Sequence, residues 1–170
     1  MLNVRECYTD EDYNFIKNIM ASGTGIKEIF ENSRDRLASA SIITLVEKDE
    51  KPIGFIYVTH ELSDNRIGFV DMGLISTNRG YGYGKESLDI FIHKTRNFDI
   101  FFIAETKKEN TIANRILSNY EHVYDKDDIC FYLVNKNLEE LKEEGLYEEL
   151  IDHLNSDRIS SKDSIKRLYK

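Results

Sequence analysis

Between Arg79 and Lys85 the chain reads Arg-Gly-Tyr-Gly-Tyr-Gly-Lys, three glycines on alternate positions with a cation at each end. Glycines at that spacing let the backbone turn tightly and let a bulky ligand approach the main chain closely. The segment follows a strand-like run and precedes a helix-like one, so its amides lead into a helix N-terminus. Successive amides there, with the partial positive charge of the helix end, make a site for an anion such as phosphate. Arg79 and Lys85 add charge at the rim. A P-loop is excluded, because no second glycine is followed by Lys and Ser/Thr at the required distance. A Rossmann turn wants its glycines near the first strand and an acidic residue about 20 positions on. Here the glycines come late, after an antiparallel meander. Pyrophosphate binding is the reading these residue types favour, with a purely structural turn as the alternative.

The flanking elements must hold that bend. Val4 to Tyr8 reads as a first short strand. Thr9, three residues before Asp12, caps a helix that buries Phe15, Ile16, Ile19 and Met20. Ser22–Gly25 breaks it, and Ile26, Ile29, Phe30 and Leu37 mark a second helix. Ile42 to Val46 and Ile53 to Val58 form an antiparallel hairpin around a polar Glu47–Pro52 turn. After a turn at Ser63-Asp64-Asn65 comes a third run, Arg66 to Ile75.

Beyond the glycines the period changes, and Leu88, Phe91, Ile92 and Thr95 mark a helical face. Ile100 to Ala104 is continuously apolar, as in a strand covered on both faces. A helix from Thr111 buries Ile112, Ile116 and Tyr120, and Ile129 to Val134 is the last strand. This order predicts an α+β fold, a mixed and mostly antiparallel sheet with helices packed on both faces. Residues 1–134 form the main domain. Residues 135–170 form a helical extension, with Leu138/Leu141 and Tyr147/Leu150/Ile151/Leu154 on two amphipathic pieces broken at Gly145.

A chain of 170 residues fits one domain, and 41% hydrophobic content is enough for a core. No stretch approaches the roughly 20 apolar residues of a membrane span, and the charged N-terminus lacks a signal-peptide core. Cys7 and Cys130 are the only cysteines, with no Cys/His cluster, so a reduced cytoplasmic protein without a metal site is expected. A net charge of −8 argues against nucleic acid and biases the partner toward a cationic small molecule or basic peptide.

Arg79, Gly82 and Gly84 match the Arg-x-x-Gly-x-Gly signature of the acyl-CoA site in the GNAT acetyltransferases, and the chain resembles that superfamily. Asn110-Thr-Ile-Ala113-Asn-Arg115-Ile116-Leu117 is similar to the Asn-x-x-Ser/Ala-x-Arg-Val-Leu stretch of its ribosomal-protein N-terminal acetyltransferase branch. Ile67-Gly68-Phe69 and Gly-Tyr-Gly-Lys-Glu-Ser-Leu look like the same branch. The resemblance covers roughly Pro52 to Val134.

It implies acetyl-CoA as co-substrate, with no metal. The diphosphate of coenzyme A would lie on the amides of Gly80, Tyr81, Gly82, Tyr83, Gly84 and Lys85. The backbone of Leu74 would pair with the pantetheine arm, and Asn110 would hydrogen-bond the cofactor from the other side, against the alternative of an ordinary helix N-cap. The acceptor is a primary amine on a protein N-terminus, a polyamine or a small metabolite. Family members often carry a carboxylate base on the fourth strand. The usual positions are Gly68 and Val70 here, which leaves Asp71 as candidate base, with a structural role as its alternative. Glu61, with Asp64 on the same turn, and Glu28 and Glu31 in the second helix are candidates for a cationic acceptor. Their alternative is solvated surface charge.

Leu117 stands where many members have an acidic Tyr, with Tyr120 one turn on as the substitute or as a core residue. Ser76 replaces the usual proline, and Glu121-His122 replaces a Gly-Phe pair. His122 is read either as an exposed loop residue or as a titrating group near the site. The absence of the usual acid and base keeps a second reading open, an acyl-CoA sensor or regulatory protein. A longer-chain acyltransferase is a third. A homodimer is compatible with the apolar tail.

Overall fold

The computed structural model describes residues 1–24, 42–75, 78 and 80–156. Among them the chain order is β1 (Leu2–Glu6), α1 (Asp10–Thr24), β2 (Ile42–Lys48), β3 (Lys51–Thr59), β4 (Ile67–Leu74), α2 (Tyr83–Lys94), β5 (Phe101–Lys107), α3 (Thr111–Leu117), β6 (Glu121–Lys126), β7 (Ile129–Leu133), α4 (Leu138–Glu143) and α5 (Tyr147–Asn155). The helix expected around Ile26 to Leu37 lies outside the described residues.

The local signals act as their chemistry predicts. Thr9 Oγ1 accepts the Asp12 amide at 3.1 Å and the Asp12 carboxylate accepts the Thr9 amide at 3.3 Å, a reciprocal cap on α1. Asp12 also accepts from the two terminal guanidinium nitrogens of Arg5, each at 2.9 Å, which ties the first turn of α1 to β1. The hairpin turn is tighter than the sequence suggests. Only Asp49 and Glu50 leave the strands, both left-handed at φ 50° and 68°, the mirror-image turn that suits strand twist. Glu47 pairs with Pro52, and the register shifts between Val46 and Glu47 where the ring offers no N–H to the ladder.

One sheet runs in the order β1-β2-β3-β4-β5-β7-β6. β4 and β5 pair in parallel from Ile67↔Phe101 to Val70↔Ala104, while β4 continues to Leu74 and β5 to Lys107. The pairs β1–β2, β2–β3, β5–β7 and β6–β7 are antiparallel. The mixed, mostly antiparallel sheet expected from the element order is the one observed.

The residues group into two compact units. One draws on the described residues of Met1–Thr59 and Asp71–Lys94, the other on those of His60–Val70 and Thr95–Arg158. In the first, Ile16 of α1 packs with Leu45 of β2 and Phe55 and Tyr57 of β3. Phe55 and Tyr57 are two apart on one strand face and stack with centroids 5.6 Å apart. In the second, Ile67, Phe69, Phe101, Ile103, Phe131 and Leu133 of the strands meet Leu141 of α4 and Leu150 and Leu154 of α5. Gly145, at φ 74°, makes the break between α4 and α5.

Two readings need correction. Ile112 is 73% exposed rather than buried, because α3 has only seven residues and turns Leu117 inward instead. The segment Glu121–Lys126, which the element order leaves without a strand, is strand β6, paired with β7 around a turn at Asp127. His122 is therefore a strand residue, about half exposed, 2.6 Å from Asp125, whose carboxyl it holds below the usual range.

Candidate active site

The glycine bend has the geometry its sequence asks for. Gly80 and Gly82 sit at φ 87° and 79°, where a side chain is strained and glycine is not. Among the described residues, nothing lies within 4 Å of where a Cβ would stand at either one, so no described side chain fills the bend there. The first bond into α2 runs from the Glu86 amide to the Gly82 carbonyl at 3.2 Å. The amides of Tyr83, Gly84 and Lys85 therefore have no acceptor inside the helix. Tyr81 is exposed, Tyr83 half-buried, and their rings stack with centroids 5.5 Å apart. The Lys85 ammonium turns along the helix to Asp89 at 2.8 Å. Arg79 lies outside the described residues.

On β4, upstream of the bend, Asp71 is 8% exposed. Its carboxylate accepts a 3.0 Å hydrogen bond from the hydroxyl of Tyr57 on β3, itself buried. Sequence reasoning missed Tyr57. Fourteen residues separate the two, and only the alignment of β3 beside β4 brings them together. Leu74, at the end of β4, lies against Gly54. A Cβ at Gly54 would meet Leu74 Cδ2 at 2.6 Å and would collide with the Gly73 carbonyl oxygen. Gly73 lacks a side chain for a similar reason, since the Phe55 ring edge would lie 2.8 Å from its Cβ. These glycines serve close strand approach.

In the second unit Asn110 is the N-cap of α3, its side chain accepting the Ala113 amide at 3.1 Å. Asn114, a residue not singled out from the sequence, donates to the carbonyls of Lys107 and Asn110 at 2.9 and 2.8 Å. It also accepts from the Tyr132 hydroxyl at 3.3 Å, so it fastens the start of α3 to the ends of β5 and β7. Tyr120 follows α3, half-buried, with its amide on the Leu117 carbonyl at 2.9 Å.

Glu61 pairs with His153 Nε2 of α5 at 3.0 Å, and both side chains are largely covered. The alternative of a solvated charge does not describe it. Glu28 and Glu31 lie outside the described residues. The structure thus gathers Gly80–Lys85 at one bend and joins Asp71 to Tyr57 in the first unit. It keeps Asn110, Tyr120 and Glu61 as separate features of the second. Among the described residues no cluster of His, Cys, Asp and Glu could hold a metal ion, and no helix is long and apolar enough to cross a membrane.

No protein-family model and no curated protein matches the chain. Solved structures do. The ribosomal alpha-N-protein acetyltransferase RimL, in complex with coenzyme A, superposes with a TM-score of 0.62 at 12% identity, over 80% of this chain and 96% of that one. An acetyltransferase of the GNAT family from Staphylococcus aureus gives 0.60 at 17% identity, over 80% and 100%. The spermidine/spermine N-acetyltransferase SpeG from Vibrio cholerae gives 0.57 at 14%, over 82% and 99%. At these identities the agreement is one of architecture, and it spans nearly the whole of each neighbour. The fold of this chain is that of the GNAT acetyltransferases.

Proposed function

We propose that the protein is an N-acetyltransferase that moves an acetyl group from acetyl-CoA to a primary amine by direct attack, acting in the cytoplasm. The observation that carries this reading is the bend at Gly80–Tyr83, which no described side chain fills at its two left-handed glycines. Two left-handed glycines deliver three helix-end amides with no acceptor inside α2, and such amides suit the diphosphate of coenzyme A. The fold supports it. The outer half of β4, ending at Leu74, is where the pantetheine arm would add as a further strand.

In this reading a β4 amide polarises the thioester carbonyl, an oxyanion-type contribution. The amine nitrogen bonds to the carbonyl carbon, the carbon–sulfur bond breaks, and coenzyme A leaves as the thiol. The acceptor must lose a proton. An alkyl ammonium near pKa 10.4 is about three units above neutrality, roughly 4 kcal/mol that a base or desolvation must supply. Asp71 is the candidate for that role, held in orientation by Tyr57. The acceptor is a protein N-terminus, a polyamine or a small amine metabolite, and the net charge of −8 favours a cationic one.

The second reading, an acyl-CoA-binding sensor, draws support from the engagement of the polar candidates inside the protein. Asp71 accepts from Tyr57, Glu61 pairs with His153, and Asn110 caps its own helix. Incubation with acetyl-CoA and a panel of amines, followed by free-thiol release, separates the two. Turnover above hydrolysis with one amine class establishes the enzyme. Micromolar acetyl-CoA binding with no turnover on any amine supports the sensor, and absence of binding removes both.

A further inference from the structure

The bend carries more than amides. Tyr81 stands between two left-handed glycines and is 68% exposed. Its ring is backed by that of Tyr83, with 26° between the planes. The Nζ of Lys48, at the end of β2, lies 5.2 Å from the Tyr83 ring centroid. The Lys48 ammonium is held above its ordinary range, by the Tyr83 hydroxyl first and further by Asp49 and Tyr81, against the opposing effect of burial. Lys48, Tyr81 and Tyr83 thus form one local group, a ladder of two rings with a cation beside it. An aromatic ring supported on one face and open to solvent on the other is the arrangement on which a nucleobase stacks, whatever its sequence of polar atoms.

We propose that Tyr81 is the stacking platform for the adenine ring of coenzyme A, and that Lys48 is the cation for its ribose 3′-phosphate. This rests on the acetyl-CoA reading of the same bend and adds the adenosine end of the ligand. Covalent connectivity supports the assignment. Adenine is joined through one ribose to the diphosphate, and the amides of Tyr83, Gly84 and Lys85 begin two residues after Tyr81. Charge supports it as well. Lys85, the other cation of the bend, is already turned to Asp89, whereas Lys48 lies over the Tyr83 ring. A lysine in that position meets a phosphate as a point charge on a flexible stem. The order of groups along the bend then repeats the order along the ligand: base at Tyr81, diphosphate at the start of α2.

Calorimetry on the full chain tests this with three ligands: acetyl-CoA, its 3′-dephospho form, and 4′-phosphopantetheine, which lacks the phosphorylated adenosine and keeps one phosphate of the diphosphate. Tyr81→Ala is expected to weaken acetyl-CoA and the dephospho form about 10-fold, within the range measured for removing one stacking partner. It leaves phosphopantetheine unchanged, and Tyr81→Phe binds all three as wild type does. Lys48→Met is expected to abolish the preference for acetyl-CoA over the dephospho form. If Tyr81→Ala binds acetyl-CoA normally, or weakens phosphopantetheine equally, the platform is wrong while the acetyl-CoA reading stands. A wild-type protein that binds none of the three overturns both.

Discussion

The hydroxyl of Tyr57 on β3 donates a 3.0 Å hydrogen bond to the buried carboxylate of Asp71 on β4. The bond fixes where the carboxylate points, and two readouts separate its chemical from its structural value. With Asp71 as base, Asp71→Asn lowers kcat by about 100-fold or more while KM for acetyl-CoA holds. Tyr57→Phe costs about 1 kcal/mol in urea denaturation and lowers kcat less. Full turnover by Asp71→Asn would leave the residue a purely structural part.

The bend should respond to backbone conformation alone. At Gly82 a methyl group meets nothing described within 4 Å, yet φ is 79°. Gly82→Ala therefore charges only for the left-handed backbone, about 1–2 kcal/mol, and weakens acetyl-CoA about 10-fold. Unchanged binding in a titration would mean that the amides are not the contact.

At Gly54 the cost is spatial instead. A Cβ there collides with the backbone carbonyl of Gly73, which has no rotamer to escape into. Gly54→Ala is expected to lower stability by about 1–3 kcal/mol, read as a lower denaturation midpoint. A variant as stable as wild type would show that β3 and β4 separate without penalty.

Asp12 gives a pH signature. Its carboxyl is held well below the usual range, chiefly by the Arg5 guanidinium and further by the Tyr8 and Thr9 amides, against the opposing effect of burial. A carboxyl depressed in the folded state adds stability that is full above its unfolded value of about 3.9 and is lost as pH falls below it. Asp12→Asn should thus be less stable than wild type by about 2 kcal/mol at pH 7. The difference should narrow between about pH 4 and pH 2. Urea melts that show a constant gap across that range would contradict the assignment.

Leu150 of α5 is fully buried among strand residues of the second unit. Leu150→Ala should cost about 2–5 kcal/mol, visible as a lower thermal midpoint. A loss under 1 kcal/mol would mean that α5 rests on the sheet without supporting it.

What could be read beforehand followed the range of the signal. Ile100 to Ala104 announces a covered strand because every residue is apolar, and β5 has four buried residues in succession. Thr9 and Asp12 announce a cap because the whole interaction spans four positions. The glycine bend was legible because left-handed φ is written directly as glycine. Ile112 misled, since a seven-residue helix has too few turns for periodicity to fix its buried side. The partners Tyr57 of Asp71 and His153 of Glu61 were invisible for a different reason. Each depends on how distant elements align, and sequence spacing carries no record of that.

β6 escaped notice because only Val123 of its six residues is buried, the others being mostly polar and exposed. It is also the terminal strand of the sheet order. Those two facts belong together. An outermost strand rich in Glu, His, Asp and Lys is a poor template for a foreign strand, since docking there would strip water from charges. The feature that hides β6 from pattern reading is one that helps the chain resist sticking to its own kind at high concentration.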